Sequence, residues 1–232
     1  MKVSFNEAVN EQPTEESQAL ATRPDLAPAV AAGTEEIDRS DLVTPTLNVV
    51  AKVGDLSNQF NPGSIVLDKT IELVQKDQPL HVIAVRITKS YQEDTEFGEE
   101  MGERANTLAE VRAKGGQIED SEDENYWISV ARIIFLVKLT DVVNPDAASS
   151  FFYEIGGESY LLAQMYVRKS AYTGVAKPLF SLKLARGSES AVAYNMVVGL
   201  SKFNGNTWFK PTLRPAGKPS EAVVEFLKNN PL

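Results

Sequence analysis

Cysteine is absent from the chain, and histidine occurs once, at His81. The first absence removes a disulfide framework, a thiolate nucleophile and a cysteine-built zinc site. The second leaves little for acid–base chemistry. His81 falls in a β-prone run beside Ile83 and Val85, where a packed strand histidine is the ordinary reading, and no Ser-His-Asp triad assembles around it. No apolar run approaches the roughly 20 residues that span a bilayer. Residues 1–10 hold one lysine and no apolar stretch, so neither a membrane span nor a secretory leader is expected. Gly98-Glu-Glu-Met-Gly102 and Gly156-Gly157 match neither a Walker A loop nor a dinucleotide fingerprint. These absences favour a cytoplasmic binding protein, without cofactor or metal, over an enzyme.

What is present is segregated charge. Residues 1–44 hold nine acidic and three basic groups, and residues 93–124 hold twelve acidic and three basic. Residues 158–232 reverse the sign, with ten Lys or Arg against four Glu, inside a chain whose total is -9. An acidic protein with one basic third suggests a face that binds a polyanion, with acidic segments nearby.

Residues 1–42, rich in Glu, Ala, Pro and Thr, read as a disordered acidic arm. Residues 43–232 read as one domain, and an apolar content of 43% suffices for its core. β-Prone runs occur at 45–53, 64–67, 70–74, 80–91, 126–140 and 151–155. In the run 80–91, alternation puts Leu80, Val82 and Ala84 on one face with Arg86 and Thr88. Residues 103–114 form a helical pattern inside the acidic insertion 93–124. The spacing of Leu161, Met165 and Tyr172 predicts a helix over 158–172, with Gly174 as its stop. Alternation of Phe180, Leu182 and Leu184 predicts a strand over 179–185. Strands at 191–203 and 206–214 flank Asn204-Gly205, a type I′ hairpin turn signal. Ser220 is the expected N-cap of a closing helix over 220–228. The chain is therefore expected to be mostly β with two or three helices. The order of elements, two long strands, a short one, a helix and then further strands ending in a hairpin, is that of an OB-like barrel carrying an N-terminal β extension and a C-terminal helix.

Residues fit for binding cluster late in the chain. Period two puts Trp208, Lys210, Thr212 and Arg214 on one face of 206–214, with Thr207, Phe209, Pro211 and Leu213 on the other. Lys202 and Phe203 sit across the turn, Lys183 and Arg186 on the neighbouring segment, and Arg86, Lys89 and Tyr91 on the first long run. Flat aromatic groups stack on unpaired bases, and Lys and Arg neutralise phosphates. The alternative is that Trp208 packs under the C-terminal helix and the cations serve solubility. Arg132 interrupts the apolar run 126–140, either paired internally or emerging on a face. The carboxylates between Glu119 and Glu124 form either a solvated loop or a magnesium site.

Asp41-Leu-Val-Thr-Pro-Thr-Leu-Asn48, Asn61-Pro-Gly63 and Lys202-Phe-Asn-Gly-Asn-Thr-Trp-Phe-Lys-Pro211, taken with the layout, give the chain a resemblance to the single-stranded DNA-binding or replication-accessory proteins of tailed phages. That resemblance implies an OB core, sequence-tolerant binding of single-stranded DNA in replication or recombination, and no catalytic residues. It places the protein in the host cytoplasm, leaves an oligomer open, and gives the acidic arm replication or recombination proteins as partners. Two other functions stay open: a phage structural or host-directed inhibitory protein, and a metal-dependent nuclease using Glu119 to Glu124.

Overall fold

The computed structural model describes residues 44–95, 102–118, 126–140, 142–144 and 152–230. Met1–Val43 and Thr44–Leu232 separate as two units, and the acidic arm falls in the first, outside the described residues. The acidic cluster from Glu119 to Glu124 and the turn residues Pro145 and Asp146 also lie outside them.

The second unit is mostly β. Strands β1 (Leu47–Val49), β2 (Ile65–Leu67) and β3 (Ile71–Val74) form a three-stranded antiparallel sheet. The main sheet is built from β4 (Leu80–Glu93), β6 (Trp127–Lys138), β7 (Phe152–Ile155), β8 (Glu158–Arg168), β9 (Ala193–Phe203) and β10 (Asn206–Gly217). Its strand order is β10-β9-β4-β6-β8-β7, and the two-residue β5 (Arg104–Ala105) pairs with the end of β4. Every pairing between these strands is antiparallel. The sheets do not close into a barrel, so the expected closed form is corrected to an open one. The reason lies between β8 and β10. There Thr46, just before β1, bridges to Gln164 of β8, while Lys52, three residues past β1, donates to Thr207 of β10. A helical turn, Tyr172–Ala176, presses on β10 at Gly174.

Two segments exchange the conformations expected of them. Residues 158–168 are strand, not helix. Leu161, Ala163, Met165 and Val167 are all buried in the core, and the intervening Tyr166 is 48% exposed. A spacing of four is two strand periods as well as one helical turn, so Leu161 and Met165 fit both. Residues 177–186 are helix, not strand. The helix α3 (Lys177–Arg186) follows the short α2 (Lys169–Ala171) and the turn Tyr172–Ala176, carries Pro178 in its first turn, and ends on Gly187 at φ 73°. Proline early and glycine just past the end are helix punctuation. The buried side chain is Leu179, while Leu184 is 91% exposed.

β4 bends at a bulge. Ala84 pairs with Phe135 and Arg86 with Ile134, which leaves Val85 as the extra residue. The bulge resets the alternation: Leu80, Val82, Ala84 and Ile87 all enter the main core. Arg86 and Thr88 therefore leave the face of Leu80 and point outward. The freed N–H of Ile87 donates to Glu189 at 3.2 Å, and this buried carboxylate also takes Lys183 at 3.1 Å.

The β9–β10 turn is as expected. Asn204 and Gly205 have φ of 45° and 80°, the pair of left-handed residues that a type I′ turn requires. In the acidic insertion, α1 (Leu108–Ala113) is capped by Thr107 and buries Val111 against Tyr91, Ala105 and Trp127.

The C-terminal helix α4 (Glu221–Asn229) is capped by Ser220, which accepts from the N–H of Val223. Its apolar side lies on the outer face of the main sheet, over Ile83, Leu136, Ile155 and Tyr160. Beside it Tyr160 donates to Glu158 at 2.8 Å, and Lys138 donates to the other oxygen of Glu158 at 2.6 Å. Burial first, then the neighbouring carboxylate, pushes the Tyr160 phenol up to about 12. The hydrogen bond from Lys138 holds Glu158 below the usual carboxylate range. Linkage fixes the signs. Native Tyr160 keeps its proton where an unfolded tyrosine, of pKa about 10, has lost it. Its contribution is complete below that value and disappears as pH rises from about 10 to 12. Glu158 contributes above its unfolded pKa and loses that contribution as pH falls through the lowered one. Thermal melting of Tyr160→Phe is expected to decline less steeply than wild type over the alkaline interval. A residual decline remains, because burial also raises Tyr194.

Candidate nucleic-acid interface

The strand register builds a surface from β4, β6 and β8. Thr88 lies opposite Arg132, which lies opposite Tyr166. The rows on either side are Arg86–Ile134–Gln164 and Ser90–Val130–Arg168. Ala131, Ile133, Met165 and Val167 alternate with these positions and fill the core, so the three rows face outward. Arg86, Thr88, Arg132, Tyr166 and Arg168 are exposed. Helix α4 covers the half of the outer face around Leu136 and Tyr160 and does not extend to these rows.

The electrostatics are one-sided. Among the described residues, the outward positions of β4, β6, β8, β9 and β10 hold Arg86, Arg132, Lys138, Arg168, Lys210 and Arg214. They hold the carboxylate of Glu158, which Lys138 neutralises at 2.6 Å. The remaining cations keep a net positive potential over the exposed rows.

Arg132 is held in place. Its Nε donates to Gln164 Oε1 at 2.7 Å, and Gln164 Nε2 donates to the Thr44 carbonyl at 2.8 Å and to Thr46 Oγ1 at 3.3 Å. At the end of β8 the surface meets β10. The indole N–H of Trp208 donates to Ser170, two residues past Arg168, at 2.8 Å. Lys169 pairs with Asp94 at 2.7 Å.

The structure distributes the residues singled out from sequence. Arg86 lies in the exposed rows. Lys89 and Tyr91 turn to the opposite side after the bulge, with the Lys89 ammonium 4.9 Å from the centre of the Tyr91 ring. Lys183 and Arg186 ride on α3 rather than on a strand, and Lys183 serves Glu189. Trp208 pairs with Ser201, so Phe203, 67% exposed, shares its face. Lys202 pairs with Thr207 and points to the other side. Trp208 is half-buried against α2 rather than under α4. The stem of Lys210 lies along the turn at Gly174, and Arg214 is exposed.

Arg132 is exposed and bound to a neutral amide, which combines the two roles the sequence offered it. Tyr166, Gln164 and Arg168 were absent from the sequence-based set. The signal for them was an apolar side chain at every second position, Leu161, Ala163, Met165 and Val167, which a helical reading of the same segment conceals. No cluster of three or more metal-ligating side chains occurs among the described residues. None of their helices is long and apolar enough to cross a membrane. No family model, curated protein or solved structure matches the chain.

Proposed function

We propose that this protein binds single-stranded DNA with little sequence preference and without catalysis, through the outer face of β4, β6 and β8. The observation that carries the reading is the row Thr88–Arg132–Tyr166 between Arg86 and Arg168, an exposed ring set among guanidinium groups on a rigid sheet. A ring face accepts any base, and guanidinium groups pair with phosphate in bidentate fashion. The connectivity supports an OB relationship. In this reading β4, β6 and β8 are the first three strands, α2 to α3 is the helix after the third, and β9 and β10 are the last two. β1 and the turn Tyr172–Ala176 then occupy the place where the third and fifth strands would meet. The OB fold binds oligonucleotides on the face of its second and third strands, which here are β6 and β8. Attachment to unpaired strands suits a role in replication or recombination.

The test is an oligonucleotide titration at two salt concentrations. About four phosphate contacts give a log–log slope near -3 for a single strand, so fourfold more salt weakens binding about fiftyfold. Duplex DNA of the same length should bind far more weakly, because paired bases offer Tyr166 no face. Absence of binding at low salt would remove this function and favour a protein-binding role, phage-structural or inhibitory, for which Phe203 and Leu200, 67% and 57% exposed, are the apolar contacts.

A further inference from the structure

We infer that Gln164 is the positioning residue of this face, fixing the guanidinium of Arg132 in the orientation that receives a phosphate; the inference rests on the nucleic-acid reading above. Gln164 is 9% exposed, while Arg86, Arg132, Tyr166 and Arg168 around it on the same face are exposed. A buried primary amide needs partners for two donors and one acceptor, and this one has them all. Nε2 donates to the Thr44 carbonyl and to Thr46 Oγ1, and Oε1 accepts from Arg132 Nε. The backbone N–H of Gln164 donates to the Pro45 carbonyl at 2.7 Å. The amide is thus anchored to main chain on one side and offers one oxygen on the other. Turning it over would set its NH₂ against the Arg132 Nε–H and its oxygen against the Thr44 carbonyl. A single orientation satisfies every group.

The consequence falls on Arg132. With Nε–H engaged, the plane of the guanidinium is set and its terminal nitrogens form the fork presented to solvent. Bidentate pairing with phosphate uses such a fork. An arginine on an exposed strand otherwise loses rotamer freedom when a ligand fixes it, and holding it beforehand removes part of that cost. Lysine cannot substitute, since its charge sits on a single freely rotating ammonium with no Nε–H to clamp. Arg86 and Arg168 carry the same charge on the same face, but Arg132 is the one at its centre, between Thr88 and Tyr166.

The experiment titrates fluorescent oligothymidylate with the full chain over a salt series, using wild type, Gln164→Met, Arg132→Met and the double variant. Loss of positioning by Gln164→Met should weaken binding about fivefold. The salt slope should not change, because no charge is removed. Arg132→Met should weaken binding and lower the slope by about 0.7, one contact's share. The double variant should bind no more weakly than Arg132→Met alone, since Gln164 acts through the missing group. Wild-type affinity in Gln164→Met overturns the inference, and so does a Gln164→Met effect that persists at full size beside Arg132→Met, which would assign Gln164 to the general fold. If Gln164→Met does not fold, Gln164→Asn, which keeps a buried amide but is one methylene too short to reach Arg132 Nε, gives the same readout. Weaker binding at unchanged slope supports the inference, and wild-type affinity overturns it. Should Arg132→Met bind as wild type does, the reading of the face itself falls and the inference falls with it.

Discussion

Replacing Arg132 by Glu and Tyr166 by Ala together should reduce single-stranded DNA affinity by at least two orders of magnitude. Each half has its own cause. Tyr166 is half exposed on a strand whose other face is fixed in the core, so its place on the outer face is set. Base–aromatic stacking of this kind contributes about 1–3 kcal/mol per base. Arg132→Glu removes one phosphate contact and puts a carboxylate into the centre of the face, turning attraction into repulsion at the point nearest the ligand. Both positions are exposed, so their effect on folding should stay within about 0.5 kcal/mol apart from the lost bond to Gln164. Melting curves would check that. Lys89→Ala and Arg186→Ala remove charges of the same sign from other sides of the molecule and should leave affinity within about twofold. The pattern is what matters. If Lys89 or Arg186 proves more important than Arg132 and Tyr166, the ligand lies elsewhere.

The contrast between these two sets of residues shows where the sequence is legible. Long strands with strong β-branched character, such as 80–93 and 127–138, declare themselves, as does the Asn204-Gly205 turn between β9 and β10. The C-terminal helix and its Ser220 cap follow from local chemistry alone. Site residues are harder, because they depend on which face of a strand each side chain takes. One bulged residue, Val85, moves Arg86 and Thr88 to the outer surface and Lys89 and Tyr91 away from it. Nothing local in Ala84-Val85-Arg86 announces that. The bulge is sustained by Glu189, more than a hundred positions later, which accepts the Ile87 N–H. For β8 the difficulty is different. Leu161 and Met165 satisfy helix and strand periods alike, and the decision comes from Ala163 and Val167, which a strand buries with them. Once that strand is placed, Tyr166 and Arg168 follow on its outer side without further information. Sheet closure has no local signature. It depends on β1 and the Gly174 turn occupying the space between β8 and β10.

That turn supplies the largest expected effect on stability. Gly174→Ala should lower the melting temperature by about 5–10 °C, and Gly174→Val should prevent folding. A Cβ built on Gly174 stands 2.4 Å from the carbonyl oxygen of Pro211 and 3.0 Å from Lys210 Cε. The lysine stem can swing aside, but the carbonyl is part of a strand locked to β9 along its whole length. Forcing a carbon into such a contact costs about 1–3 kcal/mol or more, and each kcal/mol lowers the melting temperature of a domain of this size by about 2–4 °C. Relief requires the turn Tyr172–Ala176 to move off the edge of β10. That motion drags Val175 and Ala176, both fully buried, out of the core. It also stretches the bond from Trp208 to Ser170, so indole emission should shift as the melting temperature falls. Gly199 is the control. It lies in β9 with nothing within 4 Å of its would-be Cβ, and Gly199→Ala should be neutral or slightly stabilising, because alanine restricts the unfolded chain. Equal losses at both positions would mean that glycine is needed here for backbone freedom in general. A loss confined to Gly174 means that the edge of β10 and the helical turn touch main chain to main chain, and that this contact, rather than strand pairing, holds the open side of the sheet.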